Sequence, residues 1–98
     1  MEEKRLTKEE IRQALIERHT LPVQERLERA RVAIAGLGGL GSNVAFFLAR
    51  IGVGHLHLID FDRVDITNLN RQQYTARHLG TCKTDALADA LSEINPYL

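Results

Sequence analysis

The sequence predicts an α/β fold in which two short parallel strands are joined by one helix and followed by another. Short apolar runs at 32–35 and 55–60 are typical of strands in a parallel sheet. Between them, Val44, Leu48 and Ile51 recur at helical spacing behind a glycine-rich turn. A strand, a helix and a strand in this order pack as a right-handed crossover, so we expect a β-α-β unit.

A helical arm is expected before the first strand. Thr7 and Glu10 have the form of a capping box ahead of an apolar helical repeat. This helix should end near residues 21–22, because proline disfavours helical geometry in the residue before it. Pro22 itself suits the first turn of a second short helix. The arm therefore consists of two helices.

The second half of the chain is expected to end in a further helix. Gly52 should end the helix of the β-α-β unit, residues 62–77 read as an irregular polar loop, and the last helix runs over 83–94. The apolar face of this last helix comprises Ala86, Leu87, Ala90, Leu91 and Ile94. The parallel sheet is expected to be incomplete at the C-terminus, because the chain is a fragment or because another copy completes the sheet. The predicted division is an N-terminal helical arm at 1–30 and a partial domain at 31–98.

Composition excludes several classes of protein. Thirteen basic and thirteen acidic residues balance, which gives no field for attracting nucleic acid or a membrane surface. The single cysteine, Cys82, excludes an internal disulfide and a multi-cysteine zinc site. The charged N-terminus does not resemble a signal peptide, and no apolar run is long enough to span a bilayer. We therefore expect a cytoplasmic protein that binds neither nucleic acid nor membrane.

The aromatic and histidine side chains predict structural roles. Phe46 and Phe47 are expected to pack the central helix against the sheet. His19 and His78 are expected to be surface or capping residues. The remaining histidines lack the spacing and partners of a zinc site, so no metal ligand is assigned.

The glycine-rich turn predicts a phosphate-binding site. Gly36, Gly38 and Gly41 follow the G-x-G-x-x-G pattern, with Gly39 between them. Such a turn brings backbone N–H groups close to a phosphate at a helix N-terminus. Asp60 ends the second strand at the spacing where an acidic residue accepts hydrogen bonds from ribose hydroxyls. Together these features predict a Rossmann-like β-α-β-α nucleotide-binding unit. Many dinucleotide-binding domains share them, so an NAD(P)-binding oxidoreductase domain is one interpretation.

The polar loop after Asp60 favours a different nucleotide. Three aspartates, two asparagines and Arg71 follow one another over 60–73, and Lys83 begins the last helix. A guanidinium fork, neutral amides and a lysine at a helix N-terminus suit a triphosphate better than a pyrophosphate bridge. The alternative is a solvated surface loop. Two of its carboxylates, Asp62 and Asp65, could approach a metal ion, although loop carboxylates are more often solvated.

Several motifs occur together in the order and spacing of one family. They are Gly36-Leu-Gly-Gly-Leu-Gly-Ser42, Asp60-Phe-Asp62, Asn68-Leu-Asn-Arg-Gln72, Lys83 and Ile94-Asn-Pro96. This set resembles the adenylation half of the ThiF/MoeB/HesA family, the bacterial relatives of ubiquitin-activating enzymes, and its wording is most similar to ThiF-like proteins. The resemblance implies adenylation, with ATP and Mg²⁺, of the C-terminal glycine of a ubiquitin-like sulfur carrier protein for thiamine or molybdopterin biosynthesis. It also implies a homodimer.

The resemblance also assigns roles to individual residues. It implies that Asp60 holds the ribose and that Arg71 and Lys83 act on the phosphates during catalysis. The full set of nucleotide-binding residues implied is Gly36, Gly38, Gly39, Gly41, Asp60, Asp62, Asn68, Arg71, Gln72 and Lys83. An arginine of the arm is expected to reach the γ-phosphate across the dimer interface. Arg12 is the first candidate for this third catalytic role, and Arg18 is the second.

The resemblance further implies that part of the machinery lies outside these residues. The family's magnesium-binding aspartate and catalytic cysteine are expected beyond Leu98. Cys82 directly precedes the phosphate-contacting lysine, so we expect it to be structural. The parent protein is therefore expected to be an adenylyltransferase and the 98-residue chain to be inactive by itself. A non-catalytic dimerisation fragment remains the other alternative.

Overall fold

The structure is a computed structural model that describes residues 6–98 and confirms the α/β fold. Its elements, in chain order, are α1 (Lys8–His19), α2 (Leu21–Arg29), β1 (Arg31–Ala35), α3 (Gly39–Ile51), β2 (His55–Ile59) and α4 (Lys83–Ser92). Two single-turn 3-10 helices, Ile66–Asn68 and Ala76–His78, lie in the loop between β2 and α4. The predicted β-α-β unit and last helix are therefore present. None of the helices described has the length and apolar character needed to cross a membrane.

The two strands pair in parallel and pack on α3 and α4 with one face. Their register runs from Arg31 opposite His55 to Ala35 opposite Ile59. The buried core on the helix side comprises Ile34, Leu37, Ala45, Ala49, Val64, Tyr74, Ala86, Leu87 and Leu91. On the other face, Ala33 and His57 are exposed. The short apolar run 32–35 predicts a buried strand, and this was wrong for Ala33 and Ala35, which are exposed because both packing helices lie on the same side.

The arm helices begin and end where local chemistry dictates. Thr7 caps α1, since its hydroxyl oxygen accepts a hydrogen bond of 3.1 Å from the Glu10 N–H. The helix ends at His19, slightly before the predicted point, because Thr20 has a φ of 78° and leaves helical geometry. Pro22 lies in the first turn of α2, as predicted.

The end of α2 lies against the start of β2. The Gly54 N–H donates to the Leu27 carbonyl at 2.9 Å, and the His55 N–H donates to the Ala30 carbonyl at 3.2 Å. A Cβ added to Gly54 would lie 1.9 Å from the Glu28 carbonyl oxygen, so only glycine fits there. The arm is thereby joined to the amino ends of both strands.

One of two side-chain expectations needs correction, that for Phe47. Phe46 packs against the core as predicted, but Phe47 is 70% exposed. Ala45 and Ala49 face the core, and at 3.6 residues per turn Phe47 points to the opposite side of α3. His78 does cap the second 3-10 helix, yet it is only 4% exposed and is not a surface residue.

Candidate phosphate-binding site at the glycine turn

The glycine turn lies at the carboxyl ends of the two strands. The Gly36 N–H donates to the Ile59 carbonyl at 2.8 Å, which joins the turn to the end of β2. Gly36 has a φ of +90°, a left-handed conformation that favours glycine. A Cβ on Gly41 would lie 1.7 Å from the Gly36 carbonyl oxygen. The first turn of α3 therefore packs directly on the backbone that precedes it.

Asp60 fastens this turn through both carboxylate oxygens. Its Oδ2 accepts a hydrogen bond of 2.7 Å from the Leu37 N–H, and its Oδ1 accepts one of 2.7 Å from the Asp62 N–H. Burial alone would raise the pKa of the Asp60 carboxyl, but these N–H donors and the positive charge of Lys83 together lower it below its usual range. Each oxygen keeps a second acceptor position. Asp60 orders the turn, and its contact with a ribose stays a prediction.

The N-terminus of α3 presents unpaired donors. The N–H groups of residues 38–41 donate to no other residue within the part of the chain that the structure describes. The Ser42 N–H is the first to be paired, with the Gly38 carbonyl at 3.0 Å. Unpaired N–H groups at a helix N-terminus attract anions, and the helix dipole adds to this attraction. The turn therefore offers a phosphate several donors at once.

Two cations accompany these donors. Lys83 begins α4 with its side chain largely buried, and its backbone N–H donates to the Asp62 carbonyl at 2.9 Å. Arg71 is exposed, and its Nη1 donates to the carbonyl of Thr67 and to Oδ1 of Asn70, both at 3.2 Å. Neither cation forms an ion pair with any residue from 6 to 98. Neither cation is therefore held in a direct ion pair within the described chain, although Lys83 lies near enough to Asp60 to lower the pKa of that carboxyl.

Gln72 and Arg71 line the turn from the loop side. The Arg71 Cδ lies 3.5 Å from the position that a Cβ on Gly39 would take, and the Gln72 Nε2 lies 3.8 Å from that of Gly38. Gln72 is only 8% exposed, and its Oε1 is buried without a hydrogen-bond partner. An unpaired buried polar atom is costly, typically about 1–3 kcal/mol. The Gln72 atom that lies beside the turn is Nε2, a donor of the kind that a phosphate accepts.

Asn68 has a structural role in the polar loop. Its Oδ1 accepts from the Asp65 N–H at 2.8 Å, while Asp65 Oδ1 accepts from the Thr67 N–H at 3.0 Å. The bonds from the Thr67 N–H and hydroxyl lower the pKa of Asp65. Asn68 and Asp65 thus form a reciprocal cap on the first 3-10 helix. A contact of Asn68 with phosphate stays a prediction.

Sequence reasoning missed the residues that attach the loop to α3. The Asn43 Nδ2 donates to the carbonyls of Gly39 and Arg71, and its Oδ1 accepts from the Gln73 Nε2 at 2.7 Å. The Ser42 hydroxyl accepts from the Gln73 N–H at 3.2 Å. These bonds place Arg71 and Gln72 over the turn. Their only sequence signal is that Ser42 and Asn43 directly follow the glycines, in the first turns of the helix.

Arg12 lies elsewhere in the chain. Its Nε donates to the Glu28 carboxylate, beside a cavity of about 310 Å³ at the amino ends of the strands. The glycine turn is at the opposite, carboxyl ends. Burial would raise the pKa of Glu28, but bonds from Arg12 and Gln24 lower it. One chain therefore does not bring Arg12 or the exposed Arg18 to the turn, and a role across an interface stays a prediction.

The loop carboxylates do not form a metal centre among the described residues. No cluster of three or more histidine, cysteine, aspartate or glutamate side chains there is arranged to hold a metal ion. Asp65 is engaged with Thr67, and Asp62 is exposed. Cys82 pairs through its backbone with Arg63 and precedes α4 without capping it through its side chain.

The fold and this turn together define an α/β unit of the Rossmann-like class. The model of the ThiF family matches residues 11–98, and the chain belongs to that family. The family named on the sequence motifs is thereby confirmed.

Curated relatives cover the same region. The molybdopterin-synthase adenylyltransferase of Escherichia coli (strain K12) is 42% identical over 88 residues, which are 89% of this chain and 35% of that protein. Ubiquitin-like modifier-activating enzyme 5 of Arabidopsis thaliana is 46% identical over 72 residues, 74% of this chain and 17% of that protein. The adenylyltransferase and sulfurtransferase uba4 of Aspergillus terreus is 45% identical over 87 residues, 88% of this chain. The chain spans 17–35% of the length of these relatives.

Solved structures share the fold. The E. coli tRNA N6-threonylcarbamoyladenosine dehydratase TcdA in complex with ATP has a TM-score of 0.84 and 30% identity, covering 96% of this chain and 40% of that one. E. coli MccB with ATP has a TM-score of 0.75 and 38% identity, covering 78% of this chain and 23% of that one.

Proposed function

We propose that this chain is the ATP-binding part of an enzyme that adenylates the C-terminal glycine of a ubiquitin-like sulfur carrier protein. One observation carries the proposal: the unpaired N–H groups at 38–41 lie next to Arg71, and Lys83 acts electrostatically on Asp60, which bonds to the same turn. Neither cation forms a direct ion pair within the described chain. The names of the adenylyltransferase relatives and the ATP complexes of TcdA and MccB support it.

In the proposed reaction, negative charge develops on the phosphates, and Arg71 and Lys83 are the groups assigned to stabilise it. A carboxylate oxygen of the carrier attacks the α-phosphorus of ATP, the bond from that phosphorus to the α,β-bridging oxygen breaks, and pyrophosphate leaves with the electron pair. The protein supplies orientation and stabilises the negative charge on the phosphates. Lys83 contributes a point charge at the start of α4, and Arg71 contributes a planar fork of donors.

The remaining polar groups are assigned to different parts of the nucleotide. We assign the ribose hydroxyls to the free acceptor positions of Asp60, with Asp62 beside it. Gln72 supplies an amide donor, Nε2, next to Gly38. Asn68 is assigned to the phosphates as well, a contact that it makes while its Oδ1 still accepts from the Asp65 N–H. The glycines at 36, 38, 39 and 41 keep the backbone free of side chains at the point of contact.

Magnesium is proposed as a companion of ATP, but the described residues do not form its site. Mg²⁺ requires oxygen ligands in near-octahedral geometry, and it commonly binds triphosphate through one or two carboxylates. Asp65 already accepts two bonds from Thr67, and Asp62 is the remaining carboxylate of this loop. We propose that the magnesium ligand lies outside the described residues.

The names of the relatives and neighbours bear on which molecule receives the adenylyl group from ATP. The motif wording favours a carrier of the thiamine type, whereas one relative is named for molybdopterin synthase. TcdA is named for a modified tRNA, and MccB was crystallised with MccA. We propose a protein carrier and a cytoplasmic location, and offering the purified enzyme each acceptor class with ATP tests the choice.

A homodimer is also proposed, formed through the outward face of α3. Leu40, Phe47 and Ile51 lie on this face and are exposed, with Leu40 82% and Phe47 70% exposed. For an arginine of the arm to act in trans, Arg12 must also leave its bond to Glu28. Analytical ultracentrifugation of Phe47→Glu should show a loss of dimer, with Leu79→Glu as the exposed control. A wild-type monomer would contradict this part.

Nucleotide titration tests the central proposal. The chain is titrated with ATP and NAD by isothermal calorimetry, alongside Arg71→Ala, Lys83→Ala and the control Arg77→Ala. ATP should bind in preference to NAD, and loss of either site cation should weaken ATP binding about 10- to 100-fold, as expected for a charge-assisted hydrogen bond. Tighter NAD binding would favour the oxidoreductase interpretation. Binding of neither nucleotide would favour a non-catalytic dimerisation fragment, and equal ATP affinity in all variants would contradict the roles of Arg71 and Lys83.

A further inference from the structure

The Leu37 residue of the turn is held from both sides. Its side chain is fully buried, and the residue belongs to neither β1 nor α3. Its N–H donates to Asp60, as described above, and its carbonyl accepts a hydrogen bond of 2.6 Å from the Tyr74 hydroxyl. A residue of the irregular loop therefore determines how one peptide group of the glycine turn is oriented.

The bond from Tyr74 to the Leu37 carbonyl also sets the direction of the Gly38 N–H, because both groups belong to the same peptide unit. The Leu37 carbonyl and the Gly38 N–H belong to one planar trans peptide, so they point in opposite directions. Tyr74 is buried in the core, and its hydroxyl donates to the Leu37 carbonyl from the core side of the turn. The Gly38 N–H is thereby directed away from the core. It is one of the donors that have no partner among residues 6–98.

The Tyr74 ring is itself fixed in place. It contacts the edge of His78, with ring centroids 6.4 Å apart and an interplanar angle of 86°. His78 lies 3.0 Å from the Asp89 carboxylate through Nε2, and its Nδ1 accepts from the Thr75 N–H at 3.1 Å. Burial, assisted by the negative charge of Asp60, raises the pKa of the Tyr74 hydroxyl, which stays protonated and able to donate.

We propose that Tyr74 is a positioning residue that directs the Gly38 N–H toward the phosphates of the bound nucleotide. The inference rests on the proposed function, because it requires a phosphate at the turn. Without the hydroxyl, the Leu37 carbonyl would be a buried acceptor with no donor. Rotation of the 37–38 peptide would relieve this, and glycine at 38 permits the rotation. The same rotation would turn the Gly38 N–H away from the site.

The experiment compares Tyr74→Phe with Tyr97→Phe. Both changes remove a tyrosine hydroxyl that donates to a backbone carbonyl, and Tyr97 bonds to Leu6, in the arm. ATP and adenosine affinities are measured by calorimetry, and the Gly38 amide resonance is followed by nuclear magnetic resonance in the nucleotide-free protein. Tyr74→Phe should weaken ATP binding about tenfold, the loss of one oriented hydrogen bond to a charged group, and leave adenosine affinity unchanged. It should also shift the Gly38 resonance. Tyr97→Phe should do none of these.

The outcomes separate this inference from the proposed function. Equal weakening of ATP and adenosine by Tyr74→Phe would show a general structural role and overturn the inference. Unchanged ATP affinity, or an unmoved Gly38 resonance, would overturn it as well while leaving the proposed function intact. Failure of the wild-type chain to bind ATP would instead overturn the proposed function.

Discussion

Replacing Gly41 by alanine should disrupt the junction between β1 and α3. The added Cβ would lie 1.7 Å from the Gly36 carbonyl oxygen, whereas real Cβ atoms essentially never approach closer than 3.0 Å, so the two must separate by roughly 1.3 Å. The obstructing atom belongs to the backbone and cannot rotate away. Because the Gly36 N–H is bonded to the Ile59 carbonyl, the movement must also disturb the end of β2.

We expect Gly41→Ala to lower the free energy of unfolding as a severe overpacking does. Such changes typically destabilise by about 1–3 kcal/mol, and a contact with backbone belongs at the upper end. For a domain of this size, that corresponds to a fall in melting temperature on the order of 10–20 °C. Thermal unfolding followed by circular dichroism measures it, with calorimetry reporting the loss of ATP affinity.

Gly39→Ala is the matched control for this change. A Cβ on Gly39 would meet the Arg71 Cδ at 3.5 Å, an ordinary van der Waals distance, at a position that begins α3. Its melting temperature should stay within about 2 °C of the wild type, since alanine also favours the helix. If Gly41→Ala melted within the same interval, the close packing of the helix on Gly36 would be refuted.

Three further changes test other parts of the structure. The lowered pKa of Asp60 stabilises the fold above the unfolded value near 3.9, and this contribution is lost as the pH falls through the folded pKa. Asp60→Asn should therefore flatten the acid side of a profile of urea stability against pH, and an unchanged profile would refute the clamp on Leu37. Leu87→Ala removes a fully buried side chain and should cost about 2–5 kcal/mol in urea unfolding; less than about 1 kcal/mol would contradict its place in the core. Arg77→Ala breaks exposed ion pairs with Asp89 and Glu93 and should cost less than about 1 kcal/mol, and a larger, salt-insensitive loss would show that these pairs are not solvent-screened.

Elements with strong local signals could be predicted from the sequence. The glycine pattern indicated the start of α3, Gly52 its end, and Thr7 and Pro22 the first turns of the arm helices. Each signal acts within a few residues, through a cap, a left-handed φ or a missing N–H. The carboxyl-end location of the turn followed from parallel strand order, which brings Gly36 and the segment after Ile59 together.

Contacts between distant residues could not be predicted in this way. Tyr74 follows a polar loop without periodicity, so nothing in its neighbourhood indicated a bond to Leu37. Phe47 was misplaced because helical spacing alone does not say which side of a helix meets the sheet, and the small residues Ala45 and Ala49 took that side. The burial of His78 depends on Asp89, which belongs to another helix.

The contact of Gly54 with the Glu28 carbonyl makes the arm part of the cooperative structure. The Leu27 and Ala30 carbonyls accept bonds from the start of β2, so α2 cannot open without exposing that strand. Local opening of the arm and of the sheet should then share one free energy. Backbone amides of α2 would exchange with solvent deuterium as slowly as those of β2, rather than at the faster rate of a detached terminal segment.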